Sequence, residues 1–113
     1  MPPKFMFTKE QLIEASLNII RRGGPQSLTA RSLAGELGCS VKPIFGLFKN
    51  MEDVRLETIK AADRIYRGYI GAASHAEEKP YKAMGMAYIR FATEEKELFK
   101  LLFMRDRVSE GQY

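Results

Sequence analysis

The stretch TARSLAGELGCSVKPIFGLF, residues 29–48, decides how this chain is read. Thr29 is a preferred helix N-cap type. The short helix after it carries Leu33, Ala34 and Leu37 on one face and stops at Gly38, where a side chain would oppose a left-handed backbone. Ser40 is placed to cap a second helix reaching about Phe48. Pro43 is tolerated in that helix's first turn, where its missing amide has no helical acceptor. Read as helix, tight turn and helix, the stretch turns Leu33, Ala34, Leu37, Val41, Ile44 and Phe48 inward, with Ala34 small because the two helices cross beside it. Thr29, Arg31, Ser40, Lys42, Pro43, Phe45 and Gly46 then form the outer surface, and Lys49 lies just beyond it.

Upstream, Thr8-Lys9-Glu10-Gln11 fits a capping box. Leu12, Ala15 and Ile19, with Ile13, Leu17 and Ile20, recur at helical spacing. Gly23 and Gly24 are expected to supply a left-handed C-terminal cap before Pro25. This predicts a first helix over about Lys9 to Arg22, with Phe5 and Phe7 packing on its first turn. Downstream, Asn50 opens a long helix, with Asp53 placed like a capping-box acid and apolar positions from Val54 to Ile70, ending near Ala73. A polar loop from Ser74 to Lys79 leads to Pro80, which suits the first position of a fifth helix bearing Met84, Ala87, Tyr88 and Phe91. Leu98, Leu101, Leu102 and Phe103 make a sixth. No strand alternation, internal repeat or low-complexity segment occurs. The fold class expected is all-α: a three-helix head over residues 7–50, with the motif at 29–48, followed by a linker helix and a partial helical domain over 51–113.

The 113 residues are 45% hydrophobic and 28% charged, an ordinary globular composition. The net charge of +4 is unevenly placed: residues 1–60 hold nine cations against six carboxylates, and residues 61–113 nine against eight. One cysteine, Cys39, allows no intramolecular disulfide. With neither a signal peptide nor an apolar run of the ~20 residues a bilayer needs, a cytoplasmic location and no membrane partner are expected.

Helix, turn, helix with a basic outer surface is the arrangement in which the second helix enters the major groove of duplex DNA. Thr29 and the first amides of its helix are suited to a phosphate at the positive helix end. Arg31 reaches a phosphate or a guanine edge. Ser40, Lys42, Pro43, Phe45 and Gly46 form the surface laid against the bases, and Lys49 suits a phosphate.

The run from Phe7 to Ile59 resembles the DNA-binding domain of the tetracycline-repressor (TetR) family. The resemblance is carried by FTKEQLIEASLNIIRRGG at residues 7–24, LTARSLAGELGCSVKPIFGLFKNMEDV at 28–54, and the long helix that follows at once. YKAMGMAYIRFATEEKELFKLLFM, residues 81–104, resembles the start of that family's effector-binding domain. The resemblance implies a transcriptional regulator, expected to be a ligand-responsive repressor. It implies a homodimer on palindromic double-stranded operator DNA and a small-molecule effector. The dimerising helices come last in the family and are missing here, so the chain reads as truncated. The sequence departs from the family at Phe45 (usually Tyr), Gly46 (often aromatic or His), Leu47 (commonly His) and Met51 (commonly Lys). Those departures remove phosphate contacts and shift the expected ones to Arg31, Lys42, Pro43 and Lys49.

Two alternatives differ in class: a DNA-binding fragment without effector response, and a helical module that binds another protein. No enzyme is expected, because no nucleophile–base pair or metal-ligand cluster is visible, and no cofactor or metal is expected. His75 reads as an exposed loop residue and Cys39 as a small filler in the turn. Glu94, Glu95 and Glu97 read as a solvated charged face. Gly68 reads as a point of close packing or bending.

Overall fold

The computed structural model describes residues 7–75 and 78–104. They form α1 (Lys9–Gly23), α2 (Ala30–Leu37), α3 (Lys42–Leu47), α4 (Met51–Ser74), α5 (Pro80–Glu94) and α6 (Lys96–Phe103), with a single 3-10 turn at Pro25–Ser27. No strand occurs among the described residues. The expectation for Phe5 lies outside them, as do residues 105–113 of the second expected segment.

Local side-chain chemistry sets most of the helix starts. Thr8 Oγ1 accepts the Gln11 amide at 3.1 Å, and Gln11 Oε1 accepts the Thr8 amide at 2.8 Å, completing the capping box of α1. Thr29 and Ser32 make the same reciprocal pair on α2, at 3.0 and 2.9 Å. Asn50 caps α4 by accepting the Asp53 amide at 2.8 Å, while the Asp53 carboxylate takes the Lys49 amide at 3.1 Å. Pro80 opens α5.

Gly38 ends α2 in the left-handed region, with φ 70° and ψ 37°. The Cys39 amide reaches the Ala34 carbonyl at 3.0 Å and the Gly38 amide the Gly35 carbonyl at 3.2 Å, a complete Schellman motif. The end of α1 differs from expectation. Gly24 has a positive φ of 92° but a ψ of 167°, so the backbone leaves α1 extended rather than in a left-handed turn. Pro25 then starts the 3-10 turn, which hydropathy does not reveal because no residue in it is buried.

Helix α1 lies at the centre of the packing. It contacts α2, α4, α6 and the 3-10 turn, and buries Leu12, Ala15, Ser16, Leu17, Ile19 and Ile20. Phe7 packs on the same core. Helix α2 makes its extensive contact with α1 rather than with α3. Ala34 is buried as expected, then, but the crossing expected with α3 is not what confines it. One buried cluster runs from Leu12 through Leu33, Ala34, Ile44, Phe48 and Val54 to Phe91, Leu98 and Leu101, without a break at residue 50. The buried hydroxyls are satisfied within their own helices: Ser16 donates to the Leu12 carbonyl at 2.9 Å and Thr58 to the Val54 carbonyl at 2.7 Å. Around Gly68 the place of a Cβ is open, so neither packing nor a close approach requires this glycine.

The acidic run at the α5–α6 junction is not a plain solvated face. Glu95 accepts from Arg21 Nε and Nη2, each at 3.0 Å, and joins α1 to the start of α6 across 74 residues of sequence. Its side chain is only 18% exposed. That bidentate bond is the main reason the Arg21 pKa is raised. Glu94 accepts the Tyr69 hydroxyl at 2.7 Å and Arg90 Nε at 3.3 Å, tying α5 to α4. The Tyr69 bond, with Arg90 behind it, pulls the Glu94 pKa down, and the same bond pushes that of Tyr69 up. Glu97 does not meet the expectation either: its side chain is only 19% exposed and pairs locally with Lys100 at 3.3 Å, so of the three only Glu94 is exposed to solvent.

Two substitutions test this account. Gly38→Ala must hold a Cβ at positive φ, and it lowers stability by about 1–2 kcal/mol in denaturant titration; an unchanged midpoint would rule out the left-handed turn. In a double-mutant cycle of Arg21→Ala and Glu95→Ala, the coupling is about 1–2 kcal/mol, the range for charge-assisted hydrogen bonds kept from full solvation. A coupling near zero would reduce the pair to an ordinary surface contact.

Candidate nucleic-acid interface

Of the residues expected on the outer surface, Thr29, Arg31, Ser40, Lys42, Phe45, Gly46 and Lys49 are exposed and Pro43 is half-buried. Six of the eight lie between Ser40 and Lys49, on α3 and its flanks. Thr29 and Arg31 stand at the start of α2.

Thr29 spends its hydroxyl on the Ser32 amide, so its own part is structural. The amides of Ala30 and Arg31, the first two of the helix, have no acceptor among the described residues. Ser40 corrects the expectation made for it. The α3 cap is Val41, in helical conformation at φ −78° and ψ −10°, and no side chain bonds to it. Ser40 lies one residue too early for that task, and its hydroxyl instead accepts the Lys42 amide at 3.3 Å.

Val41 corrects a second expectation. It was placed inward by spacing, yet it is 41% exposed. Helix α3 has six residues, and only Ile44 within it and Phe48 at its C-cap are fully drawn into the core. Its entry end therefore carries no cover deep enough to bury Val41. Phe45, one turn later, is 44% exposed. At Gly46 the place of a Cβ is open, so the bare backbone meets no neighbour there.

The electrostatics of this surface are simple. Between Gly24 and Met51 the chain has three cations, Arg31, Lys42 and Lys49, and one carboxylate, Glu36. Glu36 is bound to Arg22 at the end of α1. Among the described residues, none of the three cations has an ion-pair partner; Lys9, Arg55, Arg64, Lys79, Lys82 and Lys96 have none either, so what marks the three is their grouping on a stretch with a single, bound carboxylate. The nearest carboxylates in sequence after Lys49 are Glu52 and Asp53, and Asp53 is engaged with backbone amides.

The other concave feature is an open groove of about 360 Å³ between α1 and α4. It is lined by apolar Ile13, Leu17, Phe48 and Ile65, with Glu10, Glu14 and Glu57 against Lys9 and Arg64. Three carboxylates against two cations suit a phosphate poorly. Lys9 is already held over the Phe48 ring, 5.5 Å from its centroid. Between α4, α5 and α6, Tyr66, Tyr69, Tyr88, Phe91, Phe99 and Phe103 pack edge-on or tilted, with centroids 5.1–6.4 Å apart. His75 is exposed, and Cys39 is free and half-buried. Among the described residues no three His, Cys, Asp or Glu side chains are grouped to hold a metal, and no helix is long and apolar enough to cross a membrane.

No protein-family model matches this chain, and no curated protein matches it.

Because Gly46 sits within a helix and faces open space, Gly46→Ala raises folding stability by about 0.5–1 kcal/mol, read as a higher melting midpoint. A lower midpoint would mean that an undetected close approach requires the glycine.

Proposed function

We propose that this chain is a sequence-specific DNA-binding transcriptional regulator of the tetracycline-repressor type, which lays α3 in the major groove of double-stranded operator DNA. The observation that carries this reading is the set of unpaired cations, Arg31, Lys42 and Lys49, around an exposed α3 whose only nearby carboxylate on α2 is neutralised by Arg22. A polyanion supplies the missing counter-charges, and phosphate contacts hold the protein in register on the duplex. The free amides of Ala30 and Arg31 add a phosphate site at the positive end of α2. Ser40, Pro43, Phe45 and Gly46 form the part of the surface that faces the base edges. The resemblance of residues 7–59 to the family's DNA-binding domain supports the same assignment.

Effector response and dimerisation belong to the same reading. The aromatic cluster between α4, α5 and α6 is the place where a small molecule would act. The Arg21–Glu95 bridge would pass a shift of α6 to α1 and the helices it supports. Tyr81, Met86 and Ile89 stand well exposed on α5, apolar surface that suits a second copy in a homodimer. Their exposure also fits the alternative of a helical module that binds another protein, which predicts no affinity for duplex DNA.

Binding to duplex DNA, measured by fluorescence anisotropy over a salt series, separates the two. Each phosphate neutralised contributes a log–log slope of about −0.9, so replacing Arg31, Lys42 and Lys49 together by Ala flattens the slope by about 2.7 units. Equal slopes for the parent and the triple variant would remove the cations from the interface.

A further inference from the structure

We propose that Val41 and Phe45 form an apolar reading pair that packs on thymine methyl groups, so that the DNA half-site carries thymine where these two side chains land. The inference rests on the DNA-binding reading above and adds what α3 recognises.

Large apolar side chains on a protein surface are common singly. Here two stand one helical turn apart on the same short helix, the Phe45 amide donating to the Val41 carbonyl at 3.3 Å. They are the only large hydrophobic residues exposed between Thr29 and Asn50. Ile44 and Phe48 are the fully buried anchors of α3, while Val41 and Phe45 keep 41% and 44% of their surface exposed.

The hydrogen-bonding chemistry of the same face is sparse. From Ser40 to Lys49 there is no Asn, Gln, Asp, Glu or Arg, so of the side chains that read adenine, cytosine and guanine edges only lysine, at positions 42 and 49, is present. Ser40, Lys42 and Lys49 are the polar side chains that remain; Lys49 lies beyond the helix, and Lys42 is a point charge on a flexible stem. Asn50, just beyond, spends its side-chain oxygen on the α4 cap. In the major groove the one apolar feature a base pair offers is the thymine C5-methyl group. A face with two apolar side chains and no paired donor–acceptor side chain is matched to that feature.

DNA is the occupant because of what borders the pair. Lys42 lies between Val41 and Phe45 in sequence, and Lys49 and Arg31 flank them, all three without carboxylate partners. Gly46, next to Phe45, leaves open space into which the wall of a groove can come close. Two side chains are too small a patch for a stable protein interface, which takes about 800 Å² from each partner, but they match one or two methyl groups.

The test starts with selection of duplexes by the chain from a pool randomised over about 20 base pairs, roughly two helical turns. Thymines in the enriched motif are then replaced one at a time by deoxyuridine, which lacks only the methyl group. At one or two positions each half-site should lose about fourfold in affinity per methyl, the equivalent of one buried methylene. Val41→Ala should abolish the deoxyuridine effect at one such position and Phe45→Ala at another, with melting midpoints held near that of the parent. An enriched motif that is indifferent to deoxyuridine overturns the methyl-reading pair while leaving the DNA reading standing. So does a motif for which the alanine variants weaken thymine and deoxyuridine duplexes equally. If no motif is enriched and binding does not respond to salt, the DNA reading itself fails and takes this inference with it. If the two alanine variants instead abolish self-association and leave DNA affinity unchanged, the pair is a protein contact and the proposal is wrong.

Discussion

Helix α1 is packed on from three directions, and its buried stripe is the interaction on which the other helices depend. Leu12, Ala15, Leu17, Ile19 and Ile20 supply apolar area that α2, α4 and α6 share. None of those three helices could bury its own apolar face alone. The short α2 and α6, of eight residues each, lie below the length at which helices persist without tertiary support. The stripe explains why the core does not pause at residue 50, where the motif places a boundary. It also explains why both long-range bidentate ion pairs found among the described residues, Arg21 to Glu95 and Arg22 to Glu36, start from α1.

The Arg21–Glu95 pair has a directional meaning. Arg21 sits in the last turn of α1, immediately before Arg22, which holds Glu36 on α2. Two adjacent cations thus bind two different elements: one takes the junction of α5 and α6, the other the helix that leads into α3. A displacement of α6 bears on α1 through a charged contact with fixed geometry as well as through Leu98 and Leu101.

The local features were legible in the sequence and the remote ones were not. Thr8 with Gln11, Thr29, Asn50, Gly38 and Pro80 each announce a helix end through chemistry contained within a few residues, and each takes the expected role. The exposure of Arg31, Lys42, Phe45, Gly46 and Lys49 could also be read from spacing. Glu95 could not, because its partner is remote in sequence and a glutamate in an acidic run carries no sign of being bound. Val41 failed for a different reason: periodicity places a residue on a face, but burial also needs a neighbour opposite, and the entry end of α3 has none. Ser40 is the type that caps helices, yet the helix begins one residue later than its type implies, so the correct chemistry sits at the wrong register. The 3-10 turn at Pro25–Ser27 left no trace because it buries nothing.

Helix α3 is fastened by Ile44 and, at its end, Phe48, while Val41, Lys42, Phe45 and Gly46 are exposed. Substitutions at those four outward positions leave the core and its two anchors intact. The buried anchors and the solvent-facing side chains are therefore separate residues on and beside one six-residue helix. Under the DNA-binding reading proposed above, descendants of such a protein can diverge in what this helix recognises through single steps, with no compensating change in the core. The same separation makes the helix a practical place to graft a new specificity.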